Sequence, residues 1–141
     1  GEIIMSSIDL HSTIFCYNAL SNATINSDTT TVGAIIDTAG YESCEFIIKS
    51  GTRTDGTFTP LIQDGDDSGL SDAAAVSDTF LVGTEAAAAI TASNSLGRIG
   101  YVGKKRYVRL SIVSTSVTTG CTAFGAVAVL GNARTQPTTN N

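Results

Sequence analysis

The chain has 141 residues, 42% of them hydrophobic, and a formal net charge of −5. That length and apolar share suit one domain with a packed core and argue against a disordered chain. The net acidity argues against nucleic acid as the main partner, because polyanion binders usually carry a net basic field.

Thr, Val and Ile are frequent, Trp is absent, and fourteen Gly are spread along the chain. Branched side chains favour strands and Gly favours turns, so the composition predicts an all-β class. The three Cys (Cys16, Cys44, Cys121) form no CxxC pair, and the only His is His11. This suits neither a disulfide framework nor a zinc site. Each Cys lies in an apolar run, where a small buried side chain is expected. Assembly in a reducing cytoplasm fits best. No apolar run is long enough for a membrane span. The opening GEIIMSSIDL has no basic n-region and is not read as a signal peptide.

Residues 1–12 read as an arm able to add a strand to a sheet edge. Thr13–Leu20 is a first strand, and Ser21–Asp28 a polar connector. Thr29–Asp37 is a strand broken at Gly33, where a bulge is expected. Ala39 and Gly40 punctuate a turn. Glu42–Ser50 alternates, with Cys44, Phe46 and Ile48 on one face. Gly51–Gly56 is a turn before the strand Thr57–Gln63. Pro60 cannot donate to a ladder, which places that strand at an edge or a bulge. Asp64–Asp72 (DGDDSGLSD) is an acidic loop. Val76–Gly83 and Ala86–Thr91 follow as strands, the second in competition with a short Ala helix. Ser93–Gly97 turns the chain, and Ile99–Val102 is a short strand. Arg106–Ser114 is the clearest strand: Val108, Leu110 and Ile112 face one way, Tyr107, Arg109 and Ser111 the other. Thr115–Gly120 is a turn and Cys121–Leu130 a buried strand. A hairpin between these last two strands is expected. Residues 132–141 are polar and read as a tail. The domain is thus 13–131, and eight or nine short strands suit a two-sheet sandwich, with a jelly roll in this size range.

Charge is distributed unevenly. All thirteen acids lie at or before Glu85, and six of the eight basic residues lie after it. Five of those (Arg98, Lys104, Lys105, Arg106, Arg109) fall between Gly97 and Val113. Either the halves neutralise each other inside one domain, or each meets an opposite patch on a neighbour. Asp64, Asp66 and Ser68 match the opening of a calcium loop, with Asp72 at the ninth position. The match then fails, because Ala75 stands where a bidentate Glu belongs. Lys104–Arg106 with Tyr101 and Tyr107 resembles a stacking patch for single strands, but fits a solvated turn or a partner for the acidic residues better. No triad, P-loop or metal cluster is present, and no cofactor is expected.

Three segments carry a family resemblance: AGYESCEFIIKSGTRTDGTFTPLIQDGDDSGLSDAAAV, IGYVGKKRYVRLSIVST and AVAVLGNAR. They resemble the jelly-roll cement, or head-decoration, proteins of tailed bacteriophages, one of which belongs to a Bordetella phage. The resemblance implies a non-enzymatic virion protein on the capsid exterior, assembled in the host cytoplasm. Its implied partners are the major capsid protein and a second copy, as a homodimer at two-fold positions, with no nucleic acid and no membrane. A tail or fibre component and a carbohydrate-binding module are the alternatives. The expected interface residues are Lys104, Lys105, Arg106, Arg109, Arg98, Asp64, Asp66 and Asp67. Reversing Lys104, Lys105 and Arg106 to Glu is expected to weaken attachment with little loss of fold.

Overall fold

In a computed structural model residues 9–138 are described. The chain forms β1 (Phe15–Ile25), β2 (Thr30–Asp37), β3 (Tyr41–Lys49), β4 (Thr57–Gly65) and the two-residue β5 (Ala74–Ala75). A 3-10 turn (Asp78–Phe80) then leads to β6 (Leu81–Val82), β7 (Leu96–Tyr101), β8 (Tyr107–Thr115) and β9 (Cys121–Ala133). The alternation seen in the sequence drives burial. Val108, Leu110 and Ile112 of β8 are buried, as are Cys44, Phe46 and Ile48 of β3.

The strands make two antiparallel sheets, ordered β1-β9-β3-β7-β6 and β2-β8-β4-β5. The chain crosses between them from β1 to β2, β2 to β3 and β3 to β4. With the short β6 set aside, two four-stranded sheets wound in this order are a jelly roll. The inner faces share one core. Phe58 of one sheet meets Phe124 of the other, ring centroids 5.3 Å apart, and both are fully buried.

Local signals explain several joints. The β2–β8 register shifts between Val32 and Ile35, so the bulge expected at Gly33 is present. A Cβ at Gly33 would overlap the carbonyl oxygens of Leu110 and Ala19. Only Gly lets the two sheets approach there. Pro60 lies where β4 has no strand on its outer side, because β5 pairs only with Gln63 and Asp64. The edge placement expected from Pro60 is therefore observed.

Other expectations are corrected. β8 and β9 do not form a hairpin: β8 lies between β2 and β4, and β9 between β1 and β3. The loop between them crosses from sheet to sheet. Asp55 holds it, accepting the backbone N–H groups of Thr118, Thr119 and Gly120 at 2.9–3.0 Å. The supposed connector Ser21–Asp28 is strand as far as Ile25, whose side chain is 3% exposed. Val76–Gly83 holds a 3-10 turn and the two-residue β6 in place of one continuous strand, and Ala86–Thr91 is a turn with one bridge, Ile90 to Phe58. Cys44 and Cys121 are buried, but Cys16 is exposed, because its partner Val129 puts it on the outer side of β1. β9 continues to Ala133, Arg134 N–H donates to Gly40, and Thr138 N–H donates to Ser12. Residues 1–8 of the proposed arm and 139–141 of the tail lie outside the described residues.

Candidate interface at the 102–106 ridge

The candidate site begins with a buried aromatic residue. β7 ends at Tyr101, which is 5% exposed. A buried phenol needs a partner for its hydroxyl. Tyr101 Oη donates to Asp64 Oδ2 at 2.7 Å and accepts the Lys105 backbone N–H at 3.1 Å. Burial, then the bond to Asp64, pushes the phenol well above its ordinary value. Asp64 belongs to β4 and Tyr101 to β7, so this contact ties one sheet to the other. The chain turns back over the ring at Gly103, where a Cβ would overlap the phenol. Val102 N–H donates to Phe80 at 2.8 Å, fixing the other side of the turn. Residues 102–106 thus stand as a ridge whose backbone is anchored from below.

The ridge side chains find acids from the first half of the chain. Lys105 Nζ lies 2.6 Å from Asp66 Oδ2. Arg106 forks onto Asp37, both bonds 2.9 Å, and stands over the Tyr107 ring with its centroid 5.1 Å away. The Arg106 bonds hold the Asp37 carboxyl below the usual carboxylate range. Arg134 pairs with Glu42 at 2.7 Å. All three pairs join the acidic half to the basic half within one chain. Lys104 forms no ion pair among the described residues. It stands between two grooves. One, of about 530 Å³, has a floor of Ala75, Val76 and Phe80 with Asp64 and Asp66 on its wall. The other, of about 410 Å³, is lined by Thr38, Tyr41, Glu42, Arg106 and Arg134.

Two carboxylates of the acidic loop bond within the loop itself. Asp72 accepts the N–H groups of Asp66 (2.8 Å) and Asp67 (3.2 Å), and Asp67 those of Gly69 (2.9 Å) and Ser71 (3.2 Å). These bonds lower both carboxyls below their ordinary value. Of the calcium-loop residues, Asp64 is held by Tyr101, Asp66 by Lys105 and Asp72 by backbone, and Ser68 is exposed. Among the described residues no three His, Cys, Asp or Glu side chains are placed together to hold a metal ion.

Of the expected interface residues, the structure gathers Lys104, Lys105, Arg106, Asp64 and Asp66 at one end of the sandwich, with Asp67 in the adjoining loop. Arg98 and Arg109 lie elsewhere, on opposite outer faces. Arg98 sits opposite Ile47 on the β3–β7 face. Arg109 sits between Ile35 and Gln63 on the other sheet. Asp37 and Phe80 were missed, and Tyr101, expected as an aromatic beside the basic run, is instead the buried anchor of the ridge. Their only signal was a Tyr that needs a hydroxyl partner and an Asp next to a turn. His11 lies in an exposed turn, and among the described residues no helix is long and apolar enough to cross a membrane.

These features define a jelly-roll domain with a charged, rigidly based ridge at one end. No family model, curated protein or solved structure matches the chain.

Proposed function

We propose that the chain is a structural virion protein, a decoration protein that binds the outer surface of a phage capsid shell and clamps neighbouring major capsid subunits without covalent links. It acts as a dimer and carries no catalytic role. The observation that supports this best is the ridge at 102–106. Its backbone is fixed by Tyr101 and its Lys104 has no ion pair among the described residues. An unpaired cation carried on an anchored backbone between two grooves is suited to a carboxylate on a neighbouring protein, because only the Lys104 side chain has still to be ordered on binding. The resemblance of the three sequence segments to cement proteins names that neighbour.

Cryo-electron microscopy of the particle tests the reading. Density for this chain over capsid two-folds is expected, and density confined to the tail would refute it. Lys104→Glu is the clean variant, because Lys105 and Arg106 are already paired. The triple reversal would set Glu against Asp66 and Asp37 and disturb the ridge itself. Lys104→Glu should lower shell binding several-fold, more at low salt, without moving the melting temperature.

A further inference from the structure

The groove of about 530 Å³ beside the ridge borders the open edge of the β2-β8-β4-β5 sheet, because Ala75 of β5 lines it. β5 is the last strand of that sheet among the described residues. It pairs Ala75 with Gln63 and Ala74 with Asp64, and Val76 N–H then donates to Ile62 C=O at 2.9 Å. In an antiparallel ladder, alternate residues turn their backbone groups towards the partner strand and away from it. Ala74 and Val76 therefore face β4, and the N–H and C=O of Ala75 face the groove. Charge and Pro commonly blunt such an edge, but Ala74–Val76 carries neither. The groove floor is apolar, with Phe80 40% exposed beside Ala75 and Val76. On its walls Asp66 is paired with Lys105, and Asp64 accepts the Tyr101 hydroxyl. Lys104 has no ion pair among the described residues. One groove thus combines an open backbone donor and acceptor, an apolar floor and an unmatched cation.

We infer that this groove takes an extended segment of a different protein chain as an added strand beside β5, with an apolar side chain on Phe80 and Val76 and a carboxylate on Lys104. An extended backbone exchanges a pair of hydrogen bonds with Ala75, and its side chains supply the selectivity. Successive side chains alternate faces, so an apolar residue and an acid two positions apart enter the groove together. A second copy joined edge to edge about a two-fold offers only Ala74–Val76, which has no carboxylate for Lys104. The inference rests on the capsid-binding reading for the identity of the partner, and adds how that partner is held.

The test uses the full chain and undecorated shells. Ala75→Pro removes the N–H that faces the groove and no bond of the fold, and an edge strand tolerates Pro at such a position. It should leave the melting temperature unchanged and weaken shell binding roughly tenfold. A folded variant that binds shells like wild type overturns the inference. If Lys104→Glu still weakens binding in that case, the capsid reading stands without it. Where the proline lowers the melting temperature, Phe80→Ser decides in its place, since it keeps the backbone. Weaker shell binding then supports the inference, and unchanged binding overturns it. A wild-type chain that binds no shell refutes the capsid reading instead. A photo-reactive phenylalanine analogue at position 80, irradiated in producing cells, then decides this one. A foreign chain supports it when joined through a peptide with Asp or Glu two residues from an apolar residue, and lost with Ala75→Pro and with Lys104→Glu. Cross-links only to this chain, residues 1–8 included, or none, overturn it.

Discussion

Tyr101 shows how one side chain positions a functional surface. Its hydroxyl joins Asp64 to the Lys105 backbone, and its ring is the surface over which Gly103 turns. In Tyr101→Phe, Asp64 loses a donor and the Lys105 N–H an acceptor. The loss should be about 2 kcal/mol, the range for a hydrogen bond to a charged group, read as a shift in the urea midpoint at constant slope. The ridge should also loosen, seen as faster amide exchange at Gly103–Arg106 than in β8. A variant with wild-type exchange there would remove Tyr101 as the anchor. The charges of this site were legible in the sequence, because a run such as Lys104–Arg106 is visible wherever it folds. Their partners were not. Arg106 and Asp37 are 69 positions apart, and nothing local in either segment signals that the fold brings them together. The role of Tyr101 was hidden for another reason: beside a basic run it reads as a stacking aromatic, and only burial of its hydroxyl creates the need for Asp64.

At the scale of elements, the notable device is the outer side of β4. Between Thr57 and Gln63 no strand covers it, yet its donors are answered one by one. Phe58 exchanges hydrogen bonds with Ile90, at 3.1 and 2.8 Å. Pro60 has no N–H to satisfy. Ile62 N–H donates to Glu85 Oε1 at 2.9 Å, and Ile62 C=O accepts from Val76. An open edge that would invite pairing with another chain is thereby closed. Glu85→Ala should cost about 1–2 kcal/mol, since it leaves a buried-strand donor unmet, and should increase aggregation on mild heating. Glu85→Gln retains an acceptor and should recover most of the loss; equal behaviour of the two variants would refute the cap. Strands with period-two burial, β3, β4 and β8, were readable because alternation is local. Pairing was not readable. Thr118–Gly120 looks like a hairpin turn, but Asp55 draws it across the sandwich and β8 and β9 part into different sheets. The two-residue β5 and β6 carry no period at all, so Val76–Gly83 could be misread as strand.

Across the whole molecule, the separation of charge along the chain becomes charge pairing in space. Lys105, Arg106 and Arg134 of the basic half meet Asp66, Asp37 and Glu42 of the acidic half. All three pairs are exposed, and such pairs contribute little singly. The carboxylates that accept backbone N–H groups matter more to pH dependence. Asp55, Asp67 and Asp72 are held below the ordinary carboxyl value of 3.8 chiefly by such bonds, and Asp37 chiefly by Arg106. A carboxyl lowered on folding means that the unfolded chain binds more protons across that interval. Its contribution is complete above pH 3.8 and is lost as pH falls through the lower folded values. Glu45 acts in the opposite sense, because burial raises it. With Asp9, which its bonds from Ser12 also lower, five carboxyls against one set the direction, so stability should fall with acid below about pH 4. Asp55 is the decisive member, since it is the titrating group that bridges the turn after β3 to the sheet-crossing loop before β9, beside the backbone bond from Thr54 N–H to Gly120 C=O. Asp55→Asn keeps one oxygen to accept N–H groups but cannot titrate. It should be less stable than wild type at pH 7 and lose part of the acid slope, approaching wild type near pH 3. Because these bonds are short-range and point at backbone, added salt should change the slope little, unlike the response expected if the exposed ion pairs governed it. Unfolding midpoints measured from pH 7 to pH 3 at two salt concentrations separate the cases. An acid slope that disappears with salt would assign acid sensitivity to the paired surface charges rather than to Asp55 and the acidic loop.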